Sequence, residues 1–361
     1  MTEPLFAAVA PIFQVEGIVQ GELARDILNL EVEEDTGGMK RLRARFLAQG
    51  PQPGSDIEQP LYLDGRILDF GKRLQVSIGA IEQARTIFDG VISGIEAVFR
   101  EGHEPEVEVF AEDKLMRLRL ARRMTTYENM SDGDIARQIA GKHGLAADVQ
   151  ADGPTYDRVQ QWNQSDLAFL RERGRRIQAE IWLQDDTLHF ATRGNRNATS
   201  LILVQGNHLL RLNVRADLAH QRASVRVGGY DADSRDSIDE DAGEDAIQAE
   251  ISGGRSGPAI FRQVFGEGAS YRLRDVPLTT AEARDWARAE MLRRARAFVT
   301  VQGVTRGSPD MMVGSRVRME GVGTPFEGDG YYVTRLRHTY DLTNGHRTYF
   351  EAERATIQGG I

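Results

Sequence analysis

At 361 residues the chain is long enough for two or three domains, and its net charge of −9 argues against a nucleic-acid binder that relies on a basic surface. It has no cysteine, which removes disulfides, thiolate catalysis and cysteine-ligated zinc. No apolar run approaches the roughly 18 residues of a membrane span, and the apolar stretch 5–13, broken by Pro11 and preceded by Glu3, lacks the basic start of a signal peptide.

The first third reads as successive strands. Residues 26–34 and 40–48 flank Asp35-Thr36-Gly37-Gly38, whose glycines suit a hairpin. Residues 49–59 hold Pro51, Pro53 and Gly54 and read as a loop. Asp64-Gly65, between residues 61–63 and 66–68, gives the strongest short hairpin signal in the chain. Residues 74–78 and 87–99 are further strands. Met116, Leu118 and Leu120 alternate with Arg117 and Arg119, the pattern of one more, half-buried.

From 125 to 190 the pattern turns helical. Ser131 with Asp134 makes a capping box, and Met130 with Ile135 a hydrophobic staple. Trp162-Asn163-Gln164-Ser165-Asp166-Leu167 repeats it, with Asn163 as cap and a buried Trp162 expected to staple against Leu167. The apolar stripes are Ile135, Ala136, Ile139 and Ala140, ending at Gly144, and then Leu167, Leu170, Gly174 and Ile177, with Arg171, Arg173, Arg175 and Arg176 largely off the second. Gly174, costly inside a helix, suggests a close approach on its face. Ile181-Trp182-Leu183, the turn Asp185-Asp186 and residues 187–190 form a hairpin.

The segments NMSDGDIARQIAGKHGL and QWNQSDLAFLRERGRRIQAEIWLQDDTLHF resemble the central signature of the phage late control D family, the baseplate hubs of contractile tails, and the N-terminal part of VgrG proteins of type VI secretion. The flanking halves fit that family more loosely.

After 190 a loop over 193–200 leads to strands at 201–204, 209–214 and 223–227. Residues 231–250 hold nine carboxylates and few apolar side chains. With the glycine-containing residues 252–258 they read as an exposed excursion, expected to be mobile and dispensable. Residues 279–297 form a helix capped by Thr279 and Glu282, expected outside the second β domain. Strands resume at 298–304, 315–319, 331–340 and 347–353. Asp89-Gly90 and Gly102-His103 in one half, and Asp329-Gly330 and Gly345-His346 in the other, suggest a weak internal repeat.

No catalytic, cofactor-binding or metal-binding residue is assigned. The seven histidines (His103, His143, His189, His208, His220, His338 and His346) include no pair at helical zinc spacing and no H-E-x-x-H. Asp231, Asp233 and Asp236 offer either a calcium site or a solvated loop, but Arg235 stands where an EF-hand needs a ligand. No nucleotide-binding or nucleophile-elbow motif is present. Carboxylate pairs are plentiful but come without a glycosidase context. The arginines at 171–176 and 284–296 read as solvated or intersubunit faces rather than nucleic-acid contacts.

The resemblance implies a mainly β, α+β chain: a first tube-like β-barrel domain (1–122), a central helix-helix-hairpin module (123–198), and a second tube-like domain (199–361) with an acidic loop at 231–257 and a helix at 279–297. It implies a non-enzymatic homotrimer without cofactors that joins a hexameric inner tube to a separately encoded trimeric spike, contacts other baseplate components and surrounds a channel for DNA or protein cargo. Such a hub would assemble in the bacterial cytoplasm and reside in a virion or extracellular tail-like particle, without inserting into a membrane. The rival readings are a baseplate peptidoglycan hydrolase and a carbohydrate- or receptor-binding β-protein. The patterned placement of Trp162, Trp182 and Trp286 favours core over a binding patch.

Overall fold

The computed structural model describes residues 9–51, 58–79, 83–196, 198–231, 234–272 and 279–359. The molecule is mainly β, and its spine is a thirteen-stranded sheet to which both halves of the chain contribute. In the first half lie β1 (Ile12–Val15), β2 (Ile27–Asp35), β3 (Arg41–Leu47), β4 (Arg73–Ile78), β5 (Arg85–Val98) and β6 (Glu106–Glu112). Alternation builds them: Leu30 and Val32 on β2, Leu42, Ala44 and Phe46 on β3, and Val107, Val109 and Ala111 on β6 face one core. Charged residues between them pair across the other face, as Arg43 does with Glu108 and Arg41 with Glu112.

The central module follows: β7 (Arg122–Ser131), α1 (Asp132–Lys142), β8 (Ala146–Val149), β9 (Thr155–Ser165), α2 (Asp166–Ile177), β10 (Ala179–Gln184) and β11 (Thr187–Thr192). β7 and β9 form a two-stranded ribbon, and β8 pairs in parallel with β11 of the β10–β11 hairpin. Ser131 accepts from the Asp134 N–H while Asp134 accepts from that of Ser131, so the first helix starts as its sequence dictates. Asp185 and Asp186 both take positive φ in the tight turn of the hairpin. Gly174 is where the close approach falls: a Cβ there would stand 2.6 Å from the Ala179 carbonyl oxygen.

The second half supplies β12 (Ser200–Val204) and β13 (Leu209–Ala216), then β14 (Ser224–Asp231), β15 (Asp236–Ala242), α3 (Asp245–Gln248), α4 (Gly257–Phe265), β16 (Ala269–Arg272) and α5 (Thr280–Arg296). It closes with β17 (Val299–Arg306), β18 (Arg316–Glu320), β19 (Gly328–Asp341) and β20 (Gly345–Arg354). The strand order β13-β17-β20-β19-β18-β12 reproduces β2-β3-β6-β5-β4-β1 of the first half. Registers agree as well. Val91 faces Glu112 and Tyr332 faces Glu353, both members displaced by 241 positions, and each hairpin carries its bulge at the same place, after Ile92 and after Val333. β2·β3 and β13·β17 share a bulge after Ile27 and Leu209. One pairing differs, since β1 runs antiparallel to β4 whereas β12 runs parallel to β18. The repeat is therefore structural, but the letters that suggested it are out of register: Asp89-Gly90 coincides with Gly330-Tyr331, and Gly102-His103 with Thr343-Asn344.

Several expectations are corrected. Asp64-Gly65 makes a turn without flanking strands, because Lys72 Nζ donates to the carbonyls of Gly65 (2.8 Å) and Arg66 (2.6 Å) and folds the segment on itself. Residues 49–59 are not all loop, as Gln49–Pro51 pairs with Glu58–Pro60; residues 52–57 lie outside the described residues. Lys114–Arg119 is a 3₁₀ helix rather than a strand: Asp113 caps it through the Leu115 N–H, and Leu115 and Leu118, three apart, are buried together. The second helix starts at Asp166 with Ser165 as cap, not Asn163, because β9 stays paired to β7 as far as Ser165. Trp162 sits on that ribbon, 63% exposed, opposite Met124, and is no staple.

The acidic stretch is also ordered where it is described. Val225, Val227, Ile238, Ala246 and Ile247 form a separate core with Trp286, Met291 and Ala295 of α5. Apolar residues spaced through the carboxylates suffice for a β14–β15 hairpin under that helix. α5 thus lies on the inserted sheet and against α2, not on the second β core. Residues 232–233 lie outside the described residues.

Candidate assembly surfaces

The two halves meet edge to edge. The distal part of β19 pairs antiparallel with β2, from Arg335 opposite Asp35 to Asp341 opposite Asn29. On the polar face, Arg335 lies 3.9 Å from Glu33 and Arg337 3.7 Å from Glu31. On the other face Tyr340, 9% exposed, enters the core of the first half. His338, opposite Val32, contacts His346 Nε2 and Thr348 Oγ1, each at 3.2 Å. Burial, with His346 and Lys40 nearby, holds the His338 pKa well below its ordinary value.

A buried ion network locks the three modules at this junction. Arg196 donates to Glu34 Oε1 of β2 and Glu180 Oε2 of β10, each at 3.0 Å, and its guanidinium lies 4.4 Å from the Trp182 ring centre. Glu180 also accepts from Arg193 Nε (2.9 Å) and the Tyr332 hydroxyl of β19 (2.5 Å), while Arg193 reaches Glu353 of β20. Burial opposes the Arg196 charge, but Glu34 and Glu180 outweigh it and raise its pKa. No local motif announces this cluster: Glu34, Glu180 and Arg196 come from three distant segments, and each alone reads as a surface charge.

The sequence-predicted candidates are scattered. His103 is exposed in a turn, His143 meets Asp166 at 2.8 Å, His189 stacks on Trp182, and only His338 and His346 come together. Asp231 and Asp236 face each other across the β14–β15 hairpin; Asp233 lies outside the described residues. Among the described residues no group of three His, Asp or Glu side chains is arranged to hold a metal. Some of the helical arginines are used inside the molecule, while Arg175, Arg284, Arg288 and Arg293 are exposed as expected. Arg173 is buried against Asp132 and Tyr156, Arg176 lies over Trp286 at 4.7 Å, Arg171 donates to the Gly37 carbonyl, and Arg296 pairs with Glu250. Trp182 and Trp286 are buried as the sequence implies; Trp162 is not.

The family model of the Alg8 N-terminal domain matches residues 63–341. No curated protein matches the sequence. Among solved structures, the 43 kDa tail protein of prophage MuSo2 from Shewanella oneidensis is similar at 11% identity, over 96% of this chain and 99% of that one, with a TM-score of 0.68. A tail protein from Neisseria meningitidis MC58 is similar at 13% identity, over 97% of each chain, with a TM-score of 0.65. The Escherichia coli c3393 protein, a component of the type VI secretion system, is similar at 13% identity, over 96% of this chain and 79% of that one, with a TM-score of 0.58. At these identities the likeness is one of fold, and the fold is that of phage tail proteins.

Proposed function

The chain belongs to the Alg8 N-terminal domain family, and from its phage-tail-protein fold we propose that it is a structural baseplate hub of a contractile tail or tail-like injection particle, of the late control D kind. It joins a hexameric inner tube to a trimeric spike, as a homotrimer around a channel. The observation that carries this reading is the duplicated six-strand unit with matched registers, since three chains present six equivalent units to a sixfold tube. In this reading residues 1–122 and 199–361 are the two tube-like domains, with residues 217–298 an insertion in the second, and residues 123–198 the central module.

The channel wall is the polar face of the shared sheet, because the opposite face is committed to the two apolar cores. Glu31, Glu33, Glu108 and Glu112 there are interleaved with Arg41, Arg43, Arg335 and Arg337. Such a balanced wall gives passing DNA or protein no large area of one charge to hold. The protein works without catalysis, alongside tube, spike and other baseplate proteins, in a virion or extracellular particle assembled in the bacterial cytoplasm.

Reconstruction of the assembled particle tests this. Three copies, with both six-strand units lining the channel, are expected. Six copies, or one unit per chain at the wall, would overturn the adaptor reading.

A further inference from the structure

The two six-strand units differ in what lies beside their first strands. β2 is paired on both edges, by β3 and by the distal part of β19. Its counterpart β13 pairs β17 alone from Arg211 to Ala216, and β5, the counterpart of β19, pairs β6 alone from Gly94 to Val98, because β4 leaves it at Val91. Among the described residues, one junction is thus made within the chain, and both halves of a second are left open. An open strand edge is a template for another strand.

We propose that β13 of one copy pairs antiparallel with the distal part of β5 of a second copy, in the register of β2·β19, so that the sheet continues from chain to chain. This contact rests on the ring reading and supplies its interface. The matched registers place Glu33 on Arg215 and Arg337 on Glu96. Transferring the internal junction then sets Ile95 opposite Ala216, Glu96 opposite Arg215, Ala97 opposite Val214, and Phe99 opposite Leu212.

The chemistry fits at each position. Glu33 opposite Arg337 becomes Arg215 opposite Glu96, with the signs exchanged between strands and complementarity kept. Arg215 meanwhile holds Asp217 on its own exposed strand. Arg100, next in line opposite Arg211, is turned toward Glu106 at 4.0 Å. Phe99 is 67% exposed, whereas its counterpart Tyr340 is buried across the internal junction. In the paired state Phe99 meets Leu212 and Val214 at the margin of the second core, where removing it from water is favourable. Pairing β13 with another β13 would instead concentrate Arg211 and Arg215, which is why the partner is the unlike edge of a second copy. Contacts between unlike surfaces close into rings or run on as filaments.

The absence of native cysteine gives a clean test. Full-length Ala97→Cys and Val214→Cys variants are mixed and mildly oxidised, with Ala97→Cys plus Leu212→Cys as a same-face pair two residues out of register. The in-register pair is expected to cross-link at least about tenfold faster, since directly opposed Cβ atoms lie within ~5.5 Å. Arg215→Glu on the Val214→Cys chain is expected to slow it by about tenfold, and Glu96→Arg on the Ala97→Cys chain to restore it. Equal rates for the two pairs, or no rescue by the charge swap, would overturn the proposal. With both cysteines on one chain, covalent growth is expected to stop at three. Closure at another number would leave the edge assignment standing and overturn the hub reading, whereas a particle trimer joined through other surfaces would do the reverse.

Discussion

Arg196 shows how a single residue can hold three modules together. Its two carboxylate partners are buried with it, so the arrangement is stable only while complete. Arg196→Met would leave Glu34 and Glu180 facing each other without their shared cation, and is expected to cost about 3–5 kcal/mol in urea unfolding. A loss below ~1 kcal/mol would mean that Arg193 and Lys40 compensate. His338 makes the same junction sensitive to acid. Its folded pKa is depressed, so the folded state stays neutral while the unfolded state takes up a proton below about 6.5. That stability is present above pH ~6.5 and is lost as pH falls, by up to about 1.4 kcal/mol per pH unit. His338→Gln is expected to flatten that slope between pH 7 and 5; an unchanged slope would assign the acid sensitivity to other groups.

At the scale of elements, local chemistry decides where nothing competes with it. The Ser131–Asp134 box starts α1 because β7 ends there, whereas the matching letters at Asn163 and Trp162 are overridden by the ladder running on to Ser165. Trp162→Ala is therefore expected to change stability by less than ~0.5 kcal/mol, as for an exposed residue. A loss of ~3 kcal/mol would restore the staple. Gly174→Ala should go against helix propensity: the gain of about 1 kcal/mol in the helix is outweighed by a Cβ driven at the Ala179 carbonyl oxygen, for a net loss of roughly 1–3 kcal/mol. Strands, hairpins and helix stripes were legible because periodicity and turn residues act over a few positions. The Lys114–Arg119 turn was misread because alternation of Met116, Leu118 and Leu120 also satisfies a helix that buries Leu115 with Leu118. The Arg196 cluster was not legible at all, since its members meet only when β2, β10 and the chain after β11 pack.

For the whole molecule, the duplication explains where an 82-residue detour can be tolerated. β2 passes to β3 through a tight turn; at the equivalent point, between β13 and β17, the chain leaves the sheet at Ala216 and returns at Val299, directly opposite. Asp217 and Phe298 form the next rung, with Asp217 N–H donating to the Phe298 carbonyl at 3.0 Å. Between them lies a body with its own core, built on β14, β15 and α5. Replacing residues 218–297 by Asn-Gly, a two-residue hairpin turn, should therefore leave both β cores folded. Stability should still fall, because Ile260 reaches the second core, Arg176 loses Trp286 and Arg296 leaves Gln178; deleting Ile260 alone costs about 2–4 kcal/mol. The expected result is a cooperative melt at lower temperature, with strand signal retained and the in-register cross-link between β13 and β5 intact. A chain that loses cooperativity would show instead that the inserted body is part of the second unit's fold, and that the repeat alone cannot hold its six strands together.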